Sequence, residues 1–184
     1  MGKKFCKKGE RLLYKLFLPN EFVTSVFEIT PEKLYQLGIR GLITDLDNTL
    51  IEWNRKDATE EVAEWMQIMK EAGIRIVIAS NNSEARVKRF AEPLEIPYVY
   101  RAKKPLGLAY KAALEKLELS RREVAMIGDQ LLTDIFGAKR LELYTFLVRP
   151  VAESDGFVTR FNRFFEKRLF NVLKRKGITM WEER

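Results

Sequence analysis

From about residue 38 onward, short apolar runs alternate with segments whose apolar positions recur at helical spacing. The runs are Gly41-Leu42-Ile43-Thr44, Ile74 to Ala79, Tyr98 to Tyr100, Val124 to Ile127 and Leu143 to Val148. Such alternation is the signature of βαβ units, and it predicts an α/β fold: a Rossmann-like three-layer sandwich with a mainly parallel five-stranded sheet. A helix starting near Asp57, with Asp57 as cap and Glu60 three residues on, would carry Val62, Trp65, Met66 and Met69 on one face and close at Gly73. Ser83 is placed to cap a helix through Val87 and Phe90. Pro105 suits the first turn of a helix through Leu114 and Leu117, and a fourth helix is predicted from Leu131 to Arg140.

The flanks read differently. Leu18 to Leu37 is an irregular approach with a short helix after Pro31, so residues 1–37 form an N-terminal extension to a core of residues 38–150. In residues 151–184 one amphipathic helix is predicted over Phe157 to Lys176. Val158, Phe161, Phe165, Leu169 and Val172 share one of its faces, and Arg160, Arg163, Lys167 and Lys174 another. Charge separates the same regions. Residues 1–20 carry six Lys/Arg against one acid and residues 155–184 eight against four, so of the net +7 the middle contributes −2. Basic ends attract anionic lipid or nucleic acid, or simply form solvated helix faces. The C-terminal helix is open to three readings: a cover for the sheet, a membrane-surface anchor, or a nucleic-acid contact.

Composition narrows the chemistry. The chain has 46% hydrophobic and 32% charged residues and lacks an uncharged apolar run of the roughly 18 residues that a membrane span needs. Cys6 is the single cysteine, so neither an internal disulfide nor a thiolate metal site can be built, and a reducing, cytoplasmic setting is expected. The apolar stretch near the N-terminus is short and interrupted by Lys15, unlike a secretory signal. There is no histidine, which excludes Ser-His-Asp and Cys-His catalysis and histidine-ligated zinc. Cys6 is not followed by an arginine six positions on, where Leu12 stands, so it lacks the context of a phosphatase thiolate. Carboxylate, hydroxyl, lysine and metal remain.

Those groups gather where α/β folds bind ligands, at the carboxyl ends of the strands. The clusters are Asp45-Leu46-Asp47-Asn48-Thr49, Ser80-Asn81-Asn82 and Gly128-Asp129, with Lys104 beyond the third run. Asp45 and Asp47, two positions apart on extended chain, can face one crevice, and Asp129 adds a third charge. Carboxylates that close repel unless a cation is present, and an oxygen-only ligand set points to Mg²⁺. Ser80 and Asn81 offer donors, and Lys104 a positive charge, for the non-bridging oxygens of a phosphoryl group.

Asp45-x-Asp47-x-Thr49, Ser80, Lys104-Pro105 and Gly128-Asp129 with Asp134, in that order, resemble the four motifs of the haloacid dehalogenase (HAD) superfamily over roughly residues 40–148. Further stretches, Leu18 to Val23, Ile29-Thr30-Pro31, Gly38 to Gly41, Glu52-Trp53 and Arg101 to Pro105, resemble subclass IIIA phosphatases of the bacterial YqeG type. Those in turn are similar to the phosphatidylglycerophosphate phosphatases of mitochondria and plastids. The resemblance implies a Mg²⁺-dependent phosphomonoester hydrolase with Asp45 as nucleophile, Asp47 as acid and then base, Ser80 as phosphate ligand, and Lys104 holding phosphate and nucleophile. Asp129 would complete the magnesium shell with Asp45 and the backbone carbonyl of Asp47, and Asp134 would support it from behind.

Asp47 to Ser80 is 33 positions and Ser80 to Lys104 is 24, which a helix and a strand consume, so no cap domain is expected and the site should be open. Substrate is inherited less safely than chemistry. Phosphatidylglycerophosphate heads the expectations, met at the cytoplasmic face of a membrane. A soluble nucleotide or sugar phosphate is the alternative substrate, and a ribosome- or RNA-binding protein on the same fold the alternative class. Several residues have a plainer reading. Ser80 and Asn81 can cap the following helix, Lys103 is a surface charge, Thr49 serves local backbone, Trp65 is core, and Trp53 packs or lines the entrance.

Overall fold

Side chains along β2 (Gly41–Thr44) point alternately into two separate cores, Leu42 to one and Ile43 to the other. The computed structural model, which describes residues 14–152, 168–171, 173, 175 and 177, repeats this alternation in β3 (Arg75–Ala79) and β5 (Val124–Gly128). Ile76, Ile78, Ala125 and Ile127 face one way; Val77, Ala79, Val124 and Met126 face the other. A sheet apolar on both faces must be covered on both, and that requirement generates the three layers.

One face is covered by α1 (Pro31–Gln36), α2 (Glu60–Glu71) and α3 (Glu84–Ala91) through Leu34, Val62, Trp65, Met66, Met69, Val87 and Phe90. Trp65 is buried and donates Nε1–H to Ile29 O at 3.0 Å, so its polar handle is satisfied inside the core. The other face is covered by α4 (Gly107–Leu117) through Tyr110, Ala113 and Leu117. Between Asp47 and Ser80 lie α2 and β3, and between Ser80 and Lys104 lie α3 and β4 (Tyr98–Val99), so neither interval holds an inserted domain.

Among the described residues the sheet has six strands, all parallel, in the order β1-β6-β5-β2-β3-β4, one more than the apolar runs predict. The addition is β1 (Glu21–Val23), inside the stretch expected to be irregular, which pairs with Phe146 to Val148 of β6 (Tyr144–Val148). Three residues are too few to show a period. Its place is set by Asn20, whose Oδ1 accepts from Thr145 N (3.1 Å), Thr145 Oγ1 (3.0 Å) and Lys139 Nζ (2.6 Å).

Other boundaries move for local reasons. Helix α2 is capped by Thr59, which accepts from Val62 N at 3.2 Å, while Asp57 pairs with Arg89 instead. Helix α4 begins at Gly107, past Pro105. The segment expected as a helix from Leu131 opens as a π-helical turn, Leu131–Phe136, and becomes α only over Gly137–Lys139. Residues 168–171 are helical and Leu173 is fully buried with Leu131, Ile135 and Leu147, so this part of the predicted C-terminal helix covers the sheet. Val158, Arg160, Phe161, Arg163, Phe165, Lys167, Val172 and Lys174 lie outside the described residues, as do residues 1–13.

Candidate active site

The order of strands changes direction at β2: the chain runs outward to β3 and β4, then returns to place β5 on the other side. The loops after β2 and β5 therefore diverge and leave a crevice, the usual ligand site of such sheets. Asp45 N–H still donates to Ile127 O at 2.9 Å, so the chain stays extended one residue past β2 and sets Asp45 beside Gly128-Asp129. It then turns sharply. Asn48 adopts φ 64°, a region asparagine tolerates better than most residues, and its N–H donates to Ile51 O at 2.7 Å. That turn buries Thr49 between two carboxylates, its Oγ1 3.4 Å from Asp45 Oδ2 and 3.3 Å from Asp129 Oδ1.

Lys104 enters from the loop after β4. Its ammonium is buried and lies 2.6 Å from Asp45 Oδ1 and 2.8 Å from Asp134 Oδ1. Burial alone would lower its pKa, but the Asp134 and Asp45 carboxylates outweigh burial and raise it, so Lys104 is held as a cation. Asn81 fixes the backbone there, its Oδ1 accepting from Lys104 N (2.7 Å) and its Nδ2 donating to Lys104 O (3.2 Å). Both ends of the amide are thereby engaged one step behind the crevice. Ser80 is buried at the end of β3, its Oγ accepting from Asn82 N at 3.1 Å.

Asp45, Asp129 and Asp134 present carboxylate oxygens that all lie within 4.8 Å of one another. Three carboxylates against the single ammonium of Lys104 leave about two negative charges to be balanced in a buried place, which suits a hard divalent cation with oxygen ligands. The residues thus fit magnesium. The third side chain of the cluster is Asp134, predicted only as a support. The Asp47 carboxylate turns elsewhere, which leaves its backbone carbonyl as the route to a metal.

Asp47 faces α3. Its Oδ1 accepts from Arg86 Nη2 at 2.9 Å and Nε at 3.1 Å, and its Oδ2 from Asn82 Nδ2 at 3.1 Å. Burial first, and then the neighbouring Asp45 charge, push the Asp47 carboxyl above its ordinary value, with Asn82 and Arg86 pulling the other way. Two carboxylates two positions apart thus occupy contrasting surroundings, one against a lysine and one in a shielded niche. Trp53, expected mainly to pack, is exposed beside them.

Residues 21–141 match the haloacid dehalogenase-like hydrolase family. The chain belongs to that family. Among curated proteins it is 55% identical over 172 residues to the probable phosphatase YqeG of Bacillus subtilis, covering 94% of this chain and 100% of that one. It is 26% identical over 178 residues to phosphatidylglycerophosphate phosphatase 1 of Arabidopsis thaliana, covering 88% of this chain and 49% of the plant protein. In fold it is similar to the cobalt-bound deoxy-D-mannose-octulosonate 8-phosphate phosphatase of Haemophilus influenzae, with a TM-score of 0.50 and 16% identity over 76% of this chain and 90% of that one.

As an HAD-like hydrolase, the chain brings Asp45, Ser80, Lys104 and Asp129 to one crevice, with Asp47 at its rim and Asn81 behind it. Sequence reasoning missed Arg86 and Asn82. Asn82 was in view beside Ser80, whereas Arg86 is one of many arginines, and only the placement of α3 against the loop after β2 singles it out.

Proposed function

We propose that this phosphatase removes the terminal phosphate of phosphatidylglycerophosphate through an aspartyl-phosphate on Asp45. An oxygen of Asp45 attacks phosphorus while Asp47 protonates the departing alcohol oxygen. Asp47 then takes a proton from the water that attacks the phosphoenzyme, releasing phosphate and restoring Asp45. Lys104 and Ser80 hold the phosphoryl oxygens, and Asn81 positions Lys104. Asp45, Asp129 and the Asp47 carbonyl would hold Mg²⁺ with Asp134 behind them; the ion would supply charge neutralisation to carboxylates and phosphoryl oxygens.

The observation that carries this reading is the division of labour between neighbouring acids: Asp45 lies 2.6 Å from the Lys104 ammonium, and Asp47 sits in a niche that raises its pKa. Environments that separate two carboxylates in this way are how nucleophile and general acid are told apart. The lipid substrate draws support from the plant relative's name, the basic ends and the uncapped crevice. Turnover of phosphatidylglycerophosphate in vesicles, set against soluble nucleotide and sugar phosphates, tests it. Preference for a soluble phosphate removes the lipid substrate. Asp45→Asn should abolish turnover of every substrate, and RNA binding as the only activity would remove the chemistry as well.

A further inference from the structure

The loop that carries Lys104 into the crevice is not built like an ordinary solvent loop. With the first two residues of α4 it reads Tyr100-Arg101-Ala102-Lys103-Lys104-Pro105-Leu106-Gly107-Leu108. Ala102 and Lys104 turn inward and are buried. The side chains that turn outward are apolar or cationic: Leu106 is 53% exposed, Leu108 75%, and Tyr100, Arg101 and Lys103 are exposed too. Leucines this exposed, so close together, ordinarily mark a contact surface.

Their exposure is imposed by a fixed backbone. Arg101 N donates to Asn82 O (2.9 Å), Ala102 N to Ser80 O (3.0 Å), Lys104 N to Asn81 Oδ1 (2.7 Å) and Leu106 N to Lys103 O (2.9 Å). Arg101 and Lys103 have φ 44° and 52°, left-handed values that residues other than glycine keep only where the surroundings dictate them.

Charge is equally one-sided. Residues 96–114 contain four Lys/Arg and no acid. Lys104 is consumed inside the site, which leaves Arg101, Lys103 and Lys111 exposed, and none of their side chains has an ion-pair partner among the described residues. The loop that follows β2 exposes Trp53, Arg55 and Lys56, while the exposed Asp57 beside them is paired with Arg89. Both loops leave the carboxyl edge of the sheet, so the site mouth carries a rim that is apolar and cationic together.

We propose that the segment from Tyr100 to Leu108, the loop after β4 with the first turn of α4, docks this enzyme on an anionic lipid bilayer. Leu106 and Leu108 enter the boundary of headgroups and acyl chains, and Arg101, Lys103 and Lys111 meet lipid phosphates. The outermost side chains call for hydrocarbon and their neighbours for anions, and one surface supplies both. A second copy of this chain is a poor occupant, because a two-fold contact would set this acid-free patch against itself. Docked in this way, the crevice opens at the headgroup layer. The inference draws its purpose from the lipid-substrate reading, but its test reads binding rather than turnover.

The full chain is sedimented at low salt with vesicles of mixed phosphatidylglycerol and phosphatidylcholine, and with phosphatidylcholine alone. The wild type should bind the anionic vesicles and release them as salt rises. Leu106→Ser with Leu108→Ser should weaken that binding about tenfold or more while hydrolysis of p-nitrophenyl phosphate, a readout of intact folding, stays unchanged. Arg101→Gln with Lys103→Gln should weaken it by a similar factor and flatten the salt dependence. Wild-type vesicle binding by the leucine variant overturns the proposal. So does failure of the wild type to bind anionic vesicles, and a change of oligomeric state in the leucine variant without loss of vesicle binding would reassign the patch to protein contact. Vesicle binding without hydrolysis of phosphatidylglycerophosphate leaves the docking surface standing and removes only the substrate.

Discussion

Gly128→Ala tests whether the crevice depends on one missing methyl group. Gly128 ends β5, and a Cβ built on it would overlap the Cβ, Cγ and Oδ2 of Asp134 far inside contact distance. Asp134 has no easy retreat. It is buried, its Oδ1 holds Lys104 at 2.8 Å and its Oδ2 accepts from Gln130 N at 3.1 Å. A methyl group therefore fits only if this carboxylate shifts, and Lys104, 2.6 Å from Asp45, shifts with it. Overpacking of this kind costs about 1–3 kcal/mol. At roughly 2–4 °C per kcal/mol for a chain of this size, the melting temperature should fall by about 2–12 °C. A displacement of about 1 Å at a reacting group lowers turnover by about 100-fold. Thermal melting by circular dichroism, with kcat on a soluble chromogenic phosphomonoester, reads both effects. Gly107→Ala is the control, because its added Cβ meets nothing within 4 Å; it should leave activity intact and be neutral or stabilising by up to about 1 kcal/mol. Melting and turnover of Gly128→Ala indistinguishable from wild type would refute the claim that Asp134 positions Lys104.

Arg86→Met should release Asp47 and lower kcat by about 10–100-fold with little change in KM, because the acid proposed to protonate the leaving group loses its orientation; unchanged kcat would show that the pairing is incidental. Mg²⁺ should raise the melting temperature more at about pH 7.5 than at about pH 5. Burial raises the pKa of Asp134 to about 6, against the pull of Lys104, so its contribution to folding is present below the ordinary carboxylate value and is lost as pH rises through about 6. A divalent cation offsets that loss, and an equal Mg²⁺ effect at both pH values would place the cation elsewhere. Thr59→Ala should destabilise by about 1 kcal/mol through loss of the α2 cap, whereas Asp57→Ala, removing an exposed ion pair, should change melting very little. The reverse order in thermal melts would restore Asp57 as the cap.

Five of the six strands found among the described residues were legible because each is a short, mainly apolar run between helix-period segments, and the central runs can be satisfied only by burial on both faces of a sheet. The clustering of Asp45, Ser80 and Asp129 followed from the same pattern: parallel strands bring their carboxyl ends to one edge whatever the helices do. The elimination of histidine and thiol chemistry was a property of composition alone. Strand β1 was not legible. Three residues carry no period, and their pairing exists only because Asn20 reaches Thr145 and Lys139, more than a hundred positions away.

The same limit applies to the finer chemistry. Sequence spacing brings Asp45 and Asp47 to one loop, but their divergence, toward Lys104 and toward Arg86, is decided by what the packed α3 and the loop before α4 hold against them. It also predicted Asp134 only as a support behind the metal, whereas tertiary packing buries it against Gly128 and makes it the third carboxylate of the cluster. Short-range pattern determines which faces must be buried, and hence the layers and the edge at which polar groups collect. Partnership between charges depends on distances of a few ångströms between distant segments, and only the folded chain sets those.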